Sequence, residues 1–75
     1  MRTIALPWET WRAIIVALCT RGLPYMVDHA DGLERQLDQH PPDEPMVSLD
    51  LTDDVYLRSF NWARWELGLP WSGEW

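Results

Sequence analysis

Helix-stopping residues cut this chain at three points and so fix the pieces available to build a fold. Gly22-Leu23-Pro24, the run His40-Pro41-Pro42-Asp43-Glu44-Pro45, and Gly68-Leu69-Pro70 each combine residues that end a helix or cannot continue one. Gly22 is expected to close the first helix in the left-handed conformation, with Leu23 folding back onto Leu18.

Each piece carries its own period. Thr3-Ile4-Ala5-Leu6 alternates weakly, which predicts a short strand with Ile4 and Leu6 inward. Pro7 then suits the first turn of a helix, where its missing N–H costs nothing. That helix is predicted from Pro7 to Arg21. Trp8, Trp11, Ile15, Leu18 and Cys19 share one face, and Ile14 widens it. Its opposite face, Ala13, Val16 and Ala17, is also apolar, as in a helix that is central or meets a partner on its second side. A second helix is predicted from Pro24 to Gln39, with the stripe Met26, Ala30, Leu33 and Leu37. Gly32 lies inside it and costs up to ~1 kcal/mol relative to alanine.

Val47, Leu49 and Leu51 alternate with Met46, Ser48 and Asp50, the strongest strand signal in the chain. Thr52 is a good N-cap, and Asp53 and Asp54 favour the positive end of the helix that follows. This third helix runs to about Leu67 and is stopped by Gly68, with Tyr56, Phe60, Ala63 and Leu67 as its core face.

Strand, helix, helix, strand, helix returns the chain so that the strands can pair antiparallel. The expected fold is therefore a helix-rich α+β domain, β-α-α-β-α, with a small two-stranded antiparallel sheet packed by three helices. It forms one domain over 1–75, with 1–68 as core and 69–75 as a C-terminal tail. A two-stranded sheet is weak alone, and pairing of an edge strand across a dimer would reinforce it.

Composition narrows the function classes. The only cysteine, Cys19, excludes an intrachain disulfide. Its apolar neighbours predict a buried thiol and a reducing compartment. No stretch reaches the roughly 18 apolar residues of a membrane span, so the expected location is cytoplasmic. The net charge of −6 is uneven. Residues 26–56 hold nine carboxylates against Arg35 alone, which disfavours direct nucleic-acid binding. The acidic face Asp31, Glu34, Asp38, Asp43 and Glu44 keeps the chain soluble. In a second reading this face, with Asp53 and Asp54, acts as a decoy, occupying the basic site of a nucleic-acid-binding protein as an antitoxin-type inhibitor does.

No catalytic motif is present. Phosphate-binding glycine loops, Cys-x-x-Cys and His-Glu-x-x-His are all missing, and Ser48, Ser59 and Ser72 lack a nucleophile context. Asp28, His29 and Asp31 diverge around a helix too far to share one ion. His29 has no nucleophile or orienting partner at a helpful spacing. No cofactor, no metal and no catalysis are expected.

The six tryptophans carry the remaining signal. Trp8 and Trp11 belong to the core face of the first helix. Trp62 and Trp65 fall opposite the core face of the third, in the stripe Val55, Arg58, Trp62, Trp65. The tail, with Trp71 and Trp75, either covers that stripe or extends it. Trp and Arg are enriched at binding hot spots. The leading expectation is a non-catalytic protein-interaction module, a homodimer or accessory subunit, with Val55, Arg58, Trp62, Trp65, Trp71 and Trp75 as its contact. A small-ligand binder or minor enzyme subunit is a further alternative.

Overall fold

The two alternating segments pair. In the computed structural model, which describes residues 1–41 and 43–68, strand β1 (Arg2–Leu6) runs antiparallel to β2 (Val47–Leu51), with Ile4 opposite Leu49 at the centre of an unbroken register. Ile4, Leu6, Val47, Leu49 and Leu51 all point to one face and are buried, as the period of two requires. Helices α1 (Trp8–Arg21) and α2 (Pro24–Leu37) form a hairpin between the strands. A third helix, α3, spans 53–66. The helix-rich α+β fold and its element order are those expected.

Trp11 ties the layers together. It is fully buried, its ring lies 5.7 Å from that of Phe60 on α3, and its Nε1 donates to the Val47 carbonyl at 2.8 Å. Three elements thus meet at one indole. The stripe Met26, Ala30, Leu33 and Leu37 of α2 is buried as its spacing predicts.

The core arc of α1 is turned from the predicted one. Trp11, Ile14, Ile15, Ala17 and Leu18 are buried, while Trp8 is half-buried and Cys19 is exposed. The expectation of a buried Cys19 is corrected. Packing is centred on the Ile14–Leu18 side, and at about 100° per residue Cys19 falls on the margin beside Arg12.

Gly22 is also corrected. Its backbone is extended (φ −81°, ψ 171°), and Leu23 is 57% exposed. The hairpin is tight, with Pro24 already opening α2. A Cβ at Gly22 would stand 2.5 Å from the Leu18 carbonyl oxygen and 2.9 Å from the Met26 sulfur. Glycine is needed here for close approach. Gly68 does adopt the left-handed form, with φ +67°.

α3 begins as predicted, with Thr52 Oγ1 accepting from the Val55 N–H at 3.2 Å. It is not uniform. Asp53–Val55 and Asn61–Glu66 are α-helical, and Tyr56–Phe60 between them is a π turn in which the Asn61 N–H donates to the Tyr56 carbonyl. A π turn holds one extra residue, so every later side chain is rotated by about 100° from the uninterrupted register. That brings Arg64, at 3% exposure, into the interior beside Ala63, with its guanidinium 5.7 Å from the Phe60 ring centroid. Among the described residues no helix is long and apolar enough to cross a membrane.

Candidate functional site

The π turn decides where the residues of the predicted stripe lie. Val55 and Trp62 are half-buried and packed against the core, Arg58 is exposed, and Trp65 is 73% exposed. The structure does not gather the four on one open face. The rotation instead aligns Trp65 with Leu57, eight residues earlier and 62% exposed. Trp71 and Trp75 lie outside the described residues. Glu66, next to Trp65, is held by Arg21 of α1 at 3.2 Å, which fixes the end of α3 on the helical hairpin.

Arg58 is drawn into a second cluster. Its Nε lies 3.5 Å from Asp54, and its guanidinium lies 5.5 Å from the centroid of Tyr25 on α2. Tyr25 meets His29 edge-on at 5.6 Å. His29 Nδ1 is 2.5 Å from Ser59 Oγ, and its Nε2 is 3.3 Å from Asp54 Oδ2. With Nε2–H donating to the carboxylate, neutral Nδ1 is an acceptor and the Ser59 hydroxyl donates to it. Serine, histidine and aspartate are thus linked in series, which the sequence reading of His29 missed. The available signal was Ser59 itself: a hydroxyl flanked by core positions of α3 requires a polar partner.

This series does not present a nucleophile as it stands. Ser59 is fully buried, with its hydroxyl enclosed against the imidazole, while Asp54 is the exposed end. A reacting carbonyl has no approach to Oγ, whereas general-base chemistry requires substrate within hydrogen-bond reach. The link fastens α2 to α3. Beside it, a hollow of about 230 Å³ opens between α2 and the β2–α3 junction, lined by His29, Gly32, Leu33, Thr52 and Val55. It is below the usual 300–1,000 Å³ range of small-molecule pockets.

The predicted acidic face is partly neutralised by the chain itself. Asp31 pairs with Arg35 at 2.9 Å, Glu34 with Arg12 at 4.0 Å, and Glu44 approaches His40 Nδ1 at 3.1 Å. Asp38 and Asp43 are exposed.

No protein-family model, curated protein or solved structure matches the chain.

Proposed function

We propose that this chain is a small non-catalytic protein-interaction module whose contact surface is the outward flank of α3, centred on Trp65 and Leu57. The observation that carries this is an indole exposed over 73% of its surface, in line with a leucine exposed over 62%. Tryptophan is the most expensive side chain to leave in water and the one most enriched where partners bind. The flank also lies where the acidic excess ends. From 57 to 68 the charges are Arg58 and Arg64 against Glu66. Towards Trp65 the surface is free of that acidic excess, which reaches α3 only at Asp53 and Asp54 beside Leu57. The decoy reading has less support, because five of its seven carboxylates, Asp31, Glu34, Glu44, Asp53 and Asp54, already have partners within the chain.

A photo-crosslinking residue in place of Trp65 tests the proposal in cells. A discrete adduct is expected at position 65 and none at Asp38, on the acidic face. An adduct of twice the chain's mass assigns a second copy to the flank, and a different mass assigns another protein. No adduct at 65 sinks the reading.

A further inference from the structure

We infer that the outer edge of β1 is the site at which a second copy of this chain pairs, antiparallel and two-fold symmetric, to make one four-stranded sheet. The inference rests on a difference between the two edges of the sheet. On β2, the Gln36 side chain reaches from α2 to the Asp50 backbone. Its Nε2 donates to the Asp50 carbonyl and its Oε1 accepts from the Asp50 N–H, both at 2.8 Å. A side chain amide here takes the place of a neighbouring strand at Asp50, one of the two outward-facing residues of that edge, whereas neither outward-facing residue of β1 has such a contact.

The same two bonds fix which groups of β1 point outward. Asp50 is opposite Thr3, and both polar groups of the Asp50 backbone are turned away from β1. Thr3–Asp50 is therefore a non-hydrogen-bonded pair. By the alternation of an antiparallel ladder, Ala5–Ser48 is another, and Arg2–Leu51, Ile4–Leu49 and Leu6–Val47 carry the ladder. The N–H and C=O of Thr3 and Ala5 then face away from β2. Both residues are exposed, and among the described residues no backbone hydrogen bond reaches them from outside the sheet.

Nothing in β1 blocks addition of a strand. Edges are normally protected by proline, lysine, a bulge or a cover. Arg2-Thr3-Ile4-Ala5-Leu6 has no proline or lysine, and its register is continuous. The one charge, Arg2, is turned back onto the Tyr56 ring at 4.3 Å and toward Asp53.

A second copy fits this edge by its own sequence. Centring the pairing on Ile4 sets Thr3 against the partner copy's Ala5 and the reverse, so that all four outward N–H groups and all four carbonyls are satisfied. The two Ile4 side chains meet on the core face. Small side chains, Thr3 and Ala5, meet on the solvent face. The order becomes β2-β1-β1-β2, so the two copies of Asp50 stand three strand spacings apart and two residues out of line, about 16 Å. That exceeds the Debye length of ~8 Å at physiological salt. The pairing does not rest on the function proposed for the Trp65 flank.

Ala5→Pro tests the edge. Its lost N–H is an outward one, so the internal ladder keeps every bond, while proline on an added edge cannot pair. The full-length chain is expected to sediment as a dimer, Ala5→Pro as a monomer with unchanged helical circular dichroism, and Trp65→Glu as a dimer. In the unmodified chain, the Thr3 and Ala5 amides are expected to exchange at least about tenfold more slowly when concentrated than when dilute. This second measurement decides the matter if Ala5→Pro does not fold. A monomer at all concentrations, fast exchange at Thr3 and Ala5 throughout, or a folded Ala5→Pro that remains dimeric overturns the inference. Dimerisation lost only in Trp65→Glu moves the second copy to the α3 flank.

Discussion

Two side chains hold unlike parts of the molecule together through single polar atoms. Trp11 is the larger. Trp11→Ala empties the volume between α1, β2 and Phe60, and a buried aromatic truncated to alanine costs about 3–5 kcal/mol. For a chain of this size that is a large fraction of the whole stability. The expected result is a protein largely unfolded at ambient temperature by circular dichroism. Trp11→Phe keeps a ring but removes the indole donor from the Val47 carbonyl, which retains its ladder bond to Leu6, at a cost of about 0.5–1.5 kcal/mol. Ser59 is the second. Removing its hydroxyl or the His29 ring breaks the same bond. Ser59→Ala and His29→Ala should therefore each destabilise, and the double variant should lose clearly less than the sum in a urea denaturation cycle. Additive losses would show that the 2.5 Å contact does not couple the two helices.

At the scale of elements, α3 shows what the sequence could disclose and what it could not. Its start was legible from Thr52, Asp53 and Asp54, and its stop from Gly68, because caps are local chemistry. Phe60 and Ala63 were legible as core by spacing. The π turn was not, because nothing in Tyr56-Leu57-Arg58-Ser59-Phe60 differs in composition from an α-helical turn. The π turn lies where α3 meets α2, at the Ser59–His29 contact. One unread residue was enough to turn Arg64 inward and to separate Val55 from Trp65, so the candidate surface was found on the predicted helix with only part of the predicted residues. Deleting the exposed Leu57 should restore an unbroken α-helix while leaving residues 61–68 in place. The test is retention of the cooperative melt, and an unfolded product would sink the account of the π turn as a simple insertion. In α2 the matter is simpler. Beyond its chain neighbours and the backbone of its own helix, no atom stands within 4 Å of where a Gly32 Cβ would lie. Gly32→Ala should raise stability by roughly 0.5–1 kcal/mol through helix propensity alone, read as a shift of the urea midpoint. A lower midpoint would mean that the open backbone at the hollow is required.

For the whole molecule, charge and layer order act together. The acidic excess lies in the α2–β2 half of the chain, and the two surfaces proposed for association, the β1 edge and the α3 flank, lie outside it. Salt should raise the melting temperature modestly by screening that half, and it should leave dimerisation at β1 nearly unchanged, because backbone hydrogen bonds carry it. Sedimentation at low and high ionic strength checks this, and a dimer that dissolves in salt would point to an electrostatic contact elsewhere.

The Gln36 clamp on Asp50 has one further consequence, for growth. A strand edge that accepts a copy of itself is a template, and two open edges on one sheet make a fibre. With an amide seated on Asp50, the β2 edge cannot take a strand along its whole length, and addition at the β1 edge is expected to terminate after a single step. Gln36 is then a chain stopper, and its replacement by leucine would remove the terminator. Gln36→Leu should turn a finite particle into an open-ended one, with a lag phase, a rising thioflavin signal and filaments in the electron microscope where the unmodified chain gives none.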